Sequence, residues 1–373
     1  MIVFATFSNN GGMKRVTETT LIHINHPQVI SILFSSQKPE LDKPHLHWIE
    51  WKNSRESYNK KGIKEIASKV AEVLSSYREI TWVVGDNFTL PYFNLYGVKI
   101  VYDIHSLSLP LHHELEKNKK YLRLDELTKF PMSNVIRLDK AIYCRHEFSW
   151  LKKSSAYICN SSNTENYLLT YYAKACADKK KFIVPVTSEI TKKKTKYLQK
   201  DYPFYIFSRW HPVKGYHLVL FDSWAPLSLT IRGCSKSAFL EESFGKLSKN
   251  NISFLKWSDD NSNLVKELQS SEVVIFPAIY EPYGLALQEA MSLGCLCVAH
   301  KNNSGHEEQL IDGENGFLID MERPDYQKRL FEIYYLDEVE KNRIRNNAIN
   351  TRKPTIKDRA VKLNKVFDWL NEN

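Results

Sequence analysis

Short apolar runs alternate along the chain with longer segments of helical period. In the first half, Ile2–Phe7, Val29–Phe34, Ile80–Val84, Lys99–Asp103, Ala156–Asn160 and Phe182–Val186 are rich in β-branched and aromatic residues and read as strands. Between them the spacing predicts helices over Met13–Ile24 and Ile63–Tyr77, and a long one ending near Lys153. Thr191–Lys196 is charged and lacks apolar periodicity, so it reads as a connector. The alternation then restarts with strands at Tyr205–Ser208, Leu227–Arg232, Ile252–Leu255, Val273–Pro277, Leu296–Ala299 and Phe317–Ile319. Pro354 interrupts a helical pattern, and Ile356–Leu370 forms a last amphipathic helix. Alternating strands and helices build parallel α/β layers. The pattern therefore predicts two α/β domains, residues 1–187 and 200–355, side by side, with a ligand cleft between the carboxyl ends of their strands.

Composition narrows the class. The 373 residues are 43% hydrophobic and 25% charged with only 13 Gly and 14 Pro, which supports two real cores and excludes disordered and collagen-like chains. None of the six cysteines is spaced as CxxC, and Cys295 and Cys297 sit in an apolar run as strand residues, so a reduced, cytoplasmic protein is expected. No apolar run approaches the roughly 18–20 residues of a membrane helix, and the N-terminus has no positive lead for a signal peptide. The net charge of +9 is uneven. Residues 1–190 carry 26 Lys+Arg against 19 Asp+Glu, a net of +7, and residues 191–373 carry 26 against 24, a net of +2. The basic half suggests an anionic partner, with peripheral contact to a membrane surface as one form of it.

The most informative stretch runs from Val273 to Gly294: a buried strand, a loop, and a short helix stopped by Gly294. The N-terminus of such a helix offers unpaired N–H groups and a positive dipole end to an anion. Gly284 lets a phosphate approach the backbone, beside Tyr283 and Leu285. Glu281 lies before the helix and Glu289 just over a turn inside it. Two carboxylates would repel a phosphate, but they would hold vicinal hydroxyls, and a nucleotide sugar carries diols on both sides of its diphosphate. Upstream, Arg209 and Lys214 follow the first strand of the second domain and supply fixed positive charge that can absorb charge on a leaving diphosphate.

The Glu281-x7-Glu289 spacing inside EPYGLALQEAMSLG, preceded by VVIFPA, resembles the signature of glycosyltransferase family 4, the retaining nucleotide-sugar transferases of GT-B fold. The likeness continues through Ser304-Gly305-His306-Glu307-Glu308 and Asp312-Gly313-Glu314-Asn315-Gly316, and upstream through Arg209 to Lys214-Gly215 with Ser208 in place of a first Gly. It is closest over residues 204–320 and looser over 1–185. The resemblance implies a GT-B fold of two Rossmann-like domains facing across a cleft, with the final helix crossing back onto the first. It implies Glu289 on the ribose, Glu281 on hydroxyls of the transferred sugar, and same-face attack assisted by the leaving phosphate, with no enzymic nucleophile. It further implies that Gly12, in the Gly11-Gly12 turn after the first strand, reaches the donor phosphate, that His105 approaches the transferred sugar, and that Ser161 matches a position after the last strand of the first domain.

The sequence contains no Asp-x-Asp pair, HExxH, Walker loop or Cys/His metal spacing, so neither metal nor cofactor is expected. Asp259-Asp260 beside Trp257 read as a polar loop, and Lys179–Lys181 and Lys192–Lys194 as solvated surface. The expectation is a hexosyltransferase using a nucleotide sugar, a UDP-sugar first among them. Its acceptor would be an anionic glycan or lipid-linked glycan, as in polysaccharide or lipopolysaccharide assembly. The alternatives are a GT-B phosphorylase or epimerase, or a non-catalytic basic module for nucleic acid or membrane. Against a nucleic-acid module, the basic residues do not interleave with aromatics in a recognisable motif.

Overall fold

The computed structural model describes residues 1–8, 12–51, 57, 59–93, 97–117, 147–187, 199–208, 212–220, 222–234, 251–256, 261–302 and 304–373. Arg209, Gly11, Trp257, Asp259, Asp260, Lys192–Lys194, the connector at Thr191–Lys196 and the expected long helix before residue 147 lie outside them. The chain forms two compact units: Met1–Leu107 with Ile142–Glu189 and Pro354–Asn373, and Ser108–Ala141 with Ile190–Lys353.

The strands are, in chain order, β1 (Ile2–Ser8), β2 (Val29–Ser35), β3 (Leu46–Glu50), β4 (Trp82–Gly85), β5 (Lys99–Ile104), β6 (Ala156–Cys159), β7 (Lys180–Ile183), β8 (Tyr202–Phe207), β9 (Leu229–Cys234), β10 (Ile252–Lys256), β11 (Ser271–Phe276), β12 (Leu296–His300) and β13 (Phe317–Ile319). The labelled helices are α1 (Gly12–His23), α2 (Lys60–Leu74), α3 (Ser108–Lys117), α4 (Ser162–Cys176), α5 (Asn261–Gln269), α6 (Leu285–Ser292), α7 (Tyr326–Tyr334), α8 (Glu338–Asn350) and α9 (Ile356–Glu372). No helix among the described residues is long and apolar enough to cross a membrane.

The first unit is built on a parallel sheet of order β3-β2-β1-β4-β5-β6-β7. Its central strands are buried along their whole length, as strands covered on both faces must be, which is why they read as unbroken apolar runs. The chain returns to this unit at its end. A capping box between Thr355 and Asp358 starts α9, and Leu363, Val366, Phe367 and Leu370 pack against Phe4, Val101, Ile158 and Val184. Three details differ from the sequence reading. Strand β3 was not anticipated: its LHWIE is half-buried at the sheet edge and has no long apolar run. Strand β7 spans Lys180–Ile183 rather than Phe182–Val186. The apolar run continues past the strand because Val184 is buried in the core, while Arg359 of α9 takes the carbonyls of Val184 and Pro185 at 2.9 and 3.2 Å. Lys179 also departs from a solvated surface role: its ammonium donates to the Leu151 and Lys152 carbonyls at 2.6 and 2.8 Å.

The second unit carries a parallel sheet of order β10-β9-β8-β11-β12-β13, with Val273 paired to Phe204 on one side and Leu296 on the other. Tyr205, Val274, Leu287, Met291, Cys297 and Ala348 share its core. Cys295 and Cys297 are buried free thiols. At the amino end of β11, Glu272 receives Lys341 at 2.5 Å and Arg345 at 2.9 Å from α8, a buried ion network that ties this helix to the sheet.

Candidate active site

The chain leaves the carboxyl end of β8 and makes a short 3₁₀ turn, Pro212–Lys214. The Val213 carbonyl accepts from Ile279 N at 2.9 Å and Tyr280 N at 3.4 Å, lacing this turn to the loop after β11. The two backbones can touch because residue 215 is glycine: its φ is +70°, and a Cβ there would lie 1.7 Å from the Pro277 carbonyl oxygen. Ser208, just beyond β8, is tied to Tyr216. The tyrosine hydroxyl donates to the Ser208 carbonyl at 2.7 Å and lies 2.6 Å from Ser208 Oγ.

This lacing brings Lys214 against Glu281. The ammonium donates to Glu281 Oε2 at 2.6 Å, with side-chain exposures of 21% and 17%. Burial pushes the Glu281 carboxyl up, but Lys214, His306 and the Tyr283 N–H outweigh it and hold the group below the usual carboxylate range. The Glu281 carbonyl accepts from Gly305 N at 2.7 Å, which fixes the loop from the next strand against it.

Gly284 precedes the first residue of α6, with φ +98°, and a Cβ there would lie 2.5 Å from His306 Cδ2. Leu285 therefore begins α6 with its amide at a helix N-terminus, where N–H groups lack intrahelical acceptors. Gln309 Nε2 holds the Tyr283 and Gly284 carbonyls at 2.6 and 3.3 Å. Buried His306 packs edge-on to Phe276 at 5.6 Å. Desolvation, aided by Lys214 and His300 against Glu281, lowers its pKa to about 4, so it is neutral near pH 7. Glu289 lies a turn into α6 and is buried, not solvent-facing.

The second unit thus brings together Lys214, Glu281, Tyr283, Gly284 and Leu285, with Glu289 one turn away. Gly12, first residue of α1, and His105, just beyond β5, belong to the first unit. There His105 Nε2 lies 3.5 Å from Asp103 Oδ2. Ser161 caps α4, its hydroxyl accepting from Thr164 N at 2.9 Å. Three residues were given no role from sequence: in the second unit His306, whose charge is felt by Glu281, and in the first unit Asp103 and Asp86 near His105. Asp103 adjoined His105 in the quoted Asp103-Ile104-His105 end of a strand, and His306 lay within the Ser304–Glu308 motif without a role of its own; nothing in the sequence pointed to Asp86. A fixed cation, a helix N-terminus and a paired carboxylate together can receive an anion whose neighbouring groups bear hydroxyls.

Residues 187–351 match the family model described as Glycosyl transferases group 1. Similar solved structures include the sucrose-phosphate synthase of Thermosynechococcus elongatus, with 15% identity, 100% of this chain and 99% of that chain covered, and a TM-score of 0.69. The Anabaena protein HepE, solved in complex with UDP-glucose, has 15% identity, covers 100% and 99%, and scores 0.62. A glycosyltransferase from Rickettsia africae has 16% identity, covers 100% and 98%, and scores 0.61. No curated protein sequence matches the chain. At such identities the structures show the fold, GT-B with two Rossmann-like domains. The family match over residues 187–351 is to glycosyl transferases, and the structures add the fold.

Proposed function

We propose that this chain is a retaining, metal-independent glycosyltransferase that moves a hexosyl group from a UDP-sugar to an anionic glycan or lipid-linked acceptor. The observation that carries the reading is the Lys214–Glu281 pair at 2.6 Å, held beside the Gly284–Leu285 turn into α6. Lys214, with Arg209, neutralises the diphosphate, and the amides at the start of α6 add to that. Glu281 keeps the ammonium in place before the donor arrives and then accepts from hydroxyls of the transferred sugar. Glu289 takes the ribose diol, Tyr283 lines the donor loop, the Gly12 amide reaches the donor phosphate, and His105 approaches the sugar. In the transfer, the bond between the anomeric carbon and the diphosphate oxygen breaks, and an acceptor hydroxyl oxygen bonds to that carbon on the same face. The hydroxyl proton passes to the leaving diphosphate, so no enzymic nucleophile is needed.

The absence of an Asp-x-Asp pair from the sequence supports metal independence. HepE, solved with UDP-glucose, supports a uridine donor. The net +7 of residues 1–190 supports an anionic acceptor and attachment to the inner face of a membrane.

Product analysis tests this. With a UDP-sugar and an anionic glycan acceptor, the reading expects UDP release matched by product of unchanged anomeric configuration, undiminished by EDTA. Formation of a sugar phosphate from free phosphate, or of an isomerised sugar without acceptor, would replace it with a phosphorylase or an epimerase.

A further inference from the structure

One side chain holds the loop before α6 from behind. Gln309 closes a turn that begins at Ser304: Glu307 N donates to the Ser304 carbonyl at 2.9 Å, and Gln309 N to the His306 carbonyl at 3.0 Å. Two contacts fasten this turn. A Cβ at Gly305 would lie 2.5 Å from the Pro282 carbonyl oxygen, so turn and loop pack backbone to backbone. Buried Asn315 secures the far end. Its Nδ2 donates to the Gln309 carbonyl at 3.1 Å and to Thr351 Oγ1 at 2.9 Å, and its Oδ1 accepts from Ile311 N at 2.7 Å.

From that position Gln309 Nε2 reaches the Tyr283 carbonyl at 2.6 Å and the Gly284 carbonyl at 3.3 Å. Carbonyl oxygens only accept, so the nitrogen end of the side-chain amide must face them. This orientation has a cost, because Gln309 Oε1 is buried with no hydrogen-bond partner among the described residues. Turning the amide over would set that oxygen against two others.

A peptide bond is planar and trans, so its C=O and N–H point in opposite directions. The Tyr283 carbonyl shares its plane with the Gly284 N–H, and the Gly284 carbonyl with the Leu285 N–H. Fixing both carbonyls on the Gln309 side therefore turns both N–H groups to the other side. Neither donates to an acceptor among the described residues, and no side chain caps the helix. Gly284, with φ +98°, supplies the left-handed conformation this turn requires. Successive N–H groups facing one side form an anion-binding concavity.

We propose that Gln309 is a positioning residue for a bound diphosphate: by pinning two carbonyls it aims the Gly284 and Leu285 amides at the phosphate oxygens. It acts through those peptides and not by touching the ligand. The identity of the ligand rests on the sugar-transfer reading; the direction of the two amides does not.

The test uses full-length protein and Gln309→Met, which keeps the length of the side chain and replaces Nε2 with a methyl. Gly284-Leu285 is the only Gly-Leu pair in the chain, so glycine labelled with ¹³C at its carbonyl and ¹⁵N-leucine single out the Leu285 amide. Without ligand, that amide is expected to be rigid in the wild type and mobile in the variant, read as a fall in its ¹H–¹⁵N heteronuclear NOE. UDP is expected to shift the Leu285 signal in the wild type and to bind the variant about tenfold more weakly. Affinity for uridine, which has no phosphate, should stay within about twofold, whereas a general disturbance of the site would weaken both ligands together. An unchanged NOE would overturn the proposal, as would unchanged UDP affinity or an equal loss of UDP and uridine. If the variant fails to fold, a crystal structure of the wild type with UDP decides it. Both amides within hydrogen-bond reach of phosphate oxygens, with Gln309 still on both carbonyls, would uphold it; Gln309 turned away from them would overturn it. A wild type whose Leu285 signal ignores saturating UDP would sink the diphosphate reading instead, while the NOE still decides whether Gln309 holds the turn.

Discussion

In the second unit, Glu281, Tyr283, Gly284 and Leu285 stand within five consecutive residues, met by Lys214 from one segment and by Gly305 and Gln309 from another. In the first unit, Asp86 follows β4, Asp103 lies in β5, His105 just beyond it and Arg359 in α9, with about 250 residues between the last two elements. The two clusters also tune protons in opposite directions. Desolvation brings His306 down to about 4 and keeps it neutral beside an ion pair. Desolvation raises the Asp86 carboxyl to about 6, against the pull of His105. The contrast teaches that a loop feeding a helix N-terminus can form a fixed anion cradle from local sequence. A cluster of buried charged groups such as that around Asp103 needs partners delivered by distant elements.

The largest effect should come from the cradle's charge. Lys214→Ala should lower turnover by about 10²–10³, and Arg209→Ala by a similar factor, by analogy with removal of a charge-stabilising donor. Steady-state kinetics with a UDP-sugar checks both, and wild-type rates in either variant would break the assignment of charge stabilisation to the second unit. Glu281→Gln comes next. Loss of charge-assisted hydrogen bonds to sugar hydroxyls should lower turnover roughly ten- to hundredfold, with UDP affinity retained because Lys214 is released from its partner. A variant that lost UDP affinity but kept its turnover would place Glu281 on the nucleotide instead.

The smallest effect separates the units by pH. His217 and His306 both have pKa values lowered to about 4, chiefly by desolvation. Each therefore contributes stability that is complete above the unfolded value of 6.5 and is lost as pH falls toward 4, at about 1 kcal/mol per histidine by pH 5.5. The Asp86 carboxyl has the opposite sign: raised to about 6, it contributes stability below its ordinary 3.8 that is lost as pH rises through 6. Hydrogen exchange at pH 7 and 5.5, corrected for intrinsic rates, should show protection lost more in the second unit than in the first. Equal loss in both would erase the distinction.

What could be read beforehand follows the same divide. The α6 loop was legible because strand, loop, glycine and helix lie in one stretch, each element dictating the next. Glu281 and Lys214 were both visible from sequence, but their pairing was not, since it depends on Val213 lacing two loops across the sheet edge. Strand β3 was missed because an edge strand with half-buried Leu46, His47 and Trp48 shows no apolar run. The end of β7 was misplaced because Val184 is apolar for the sake of α9, not of the sheet. Arg359 showed nothing of itself in sequence: one arginine on an amphipathic helix gives no sign of the carbonyls and carboxylate it will meet.

The central claim is that Lys214, beside Glu281 and the start of α6, grips the diphosphate of the donor. Calorimetric titration of UDP into the wild type and into Lys214→Ala tests it most directly. Saturable binding in the wild type that weakens at least about tenfold in the variant is predicted; equal affinity in the two proteins would contradict it.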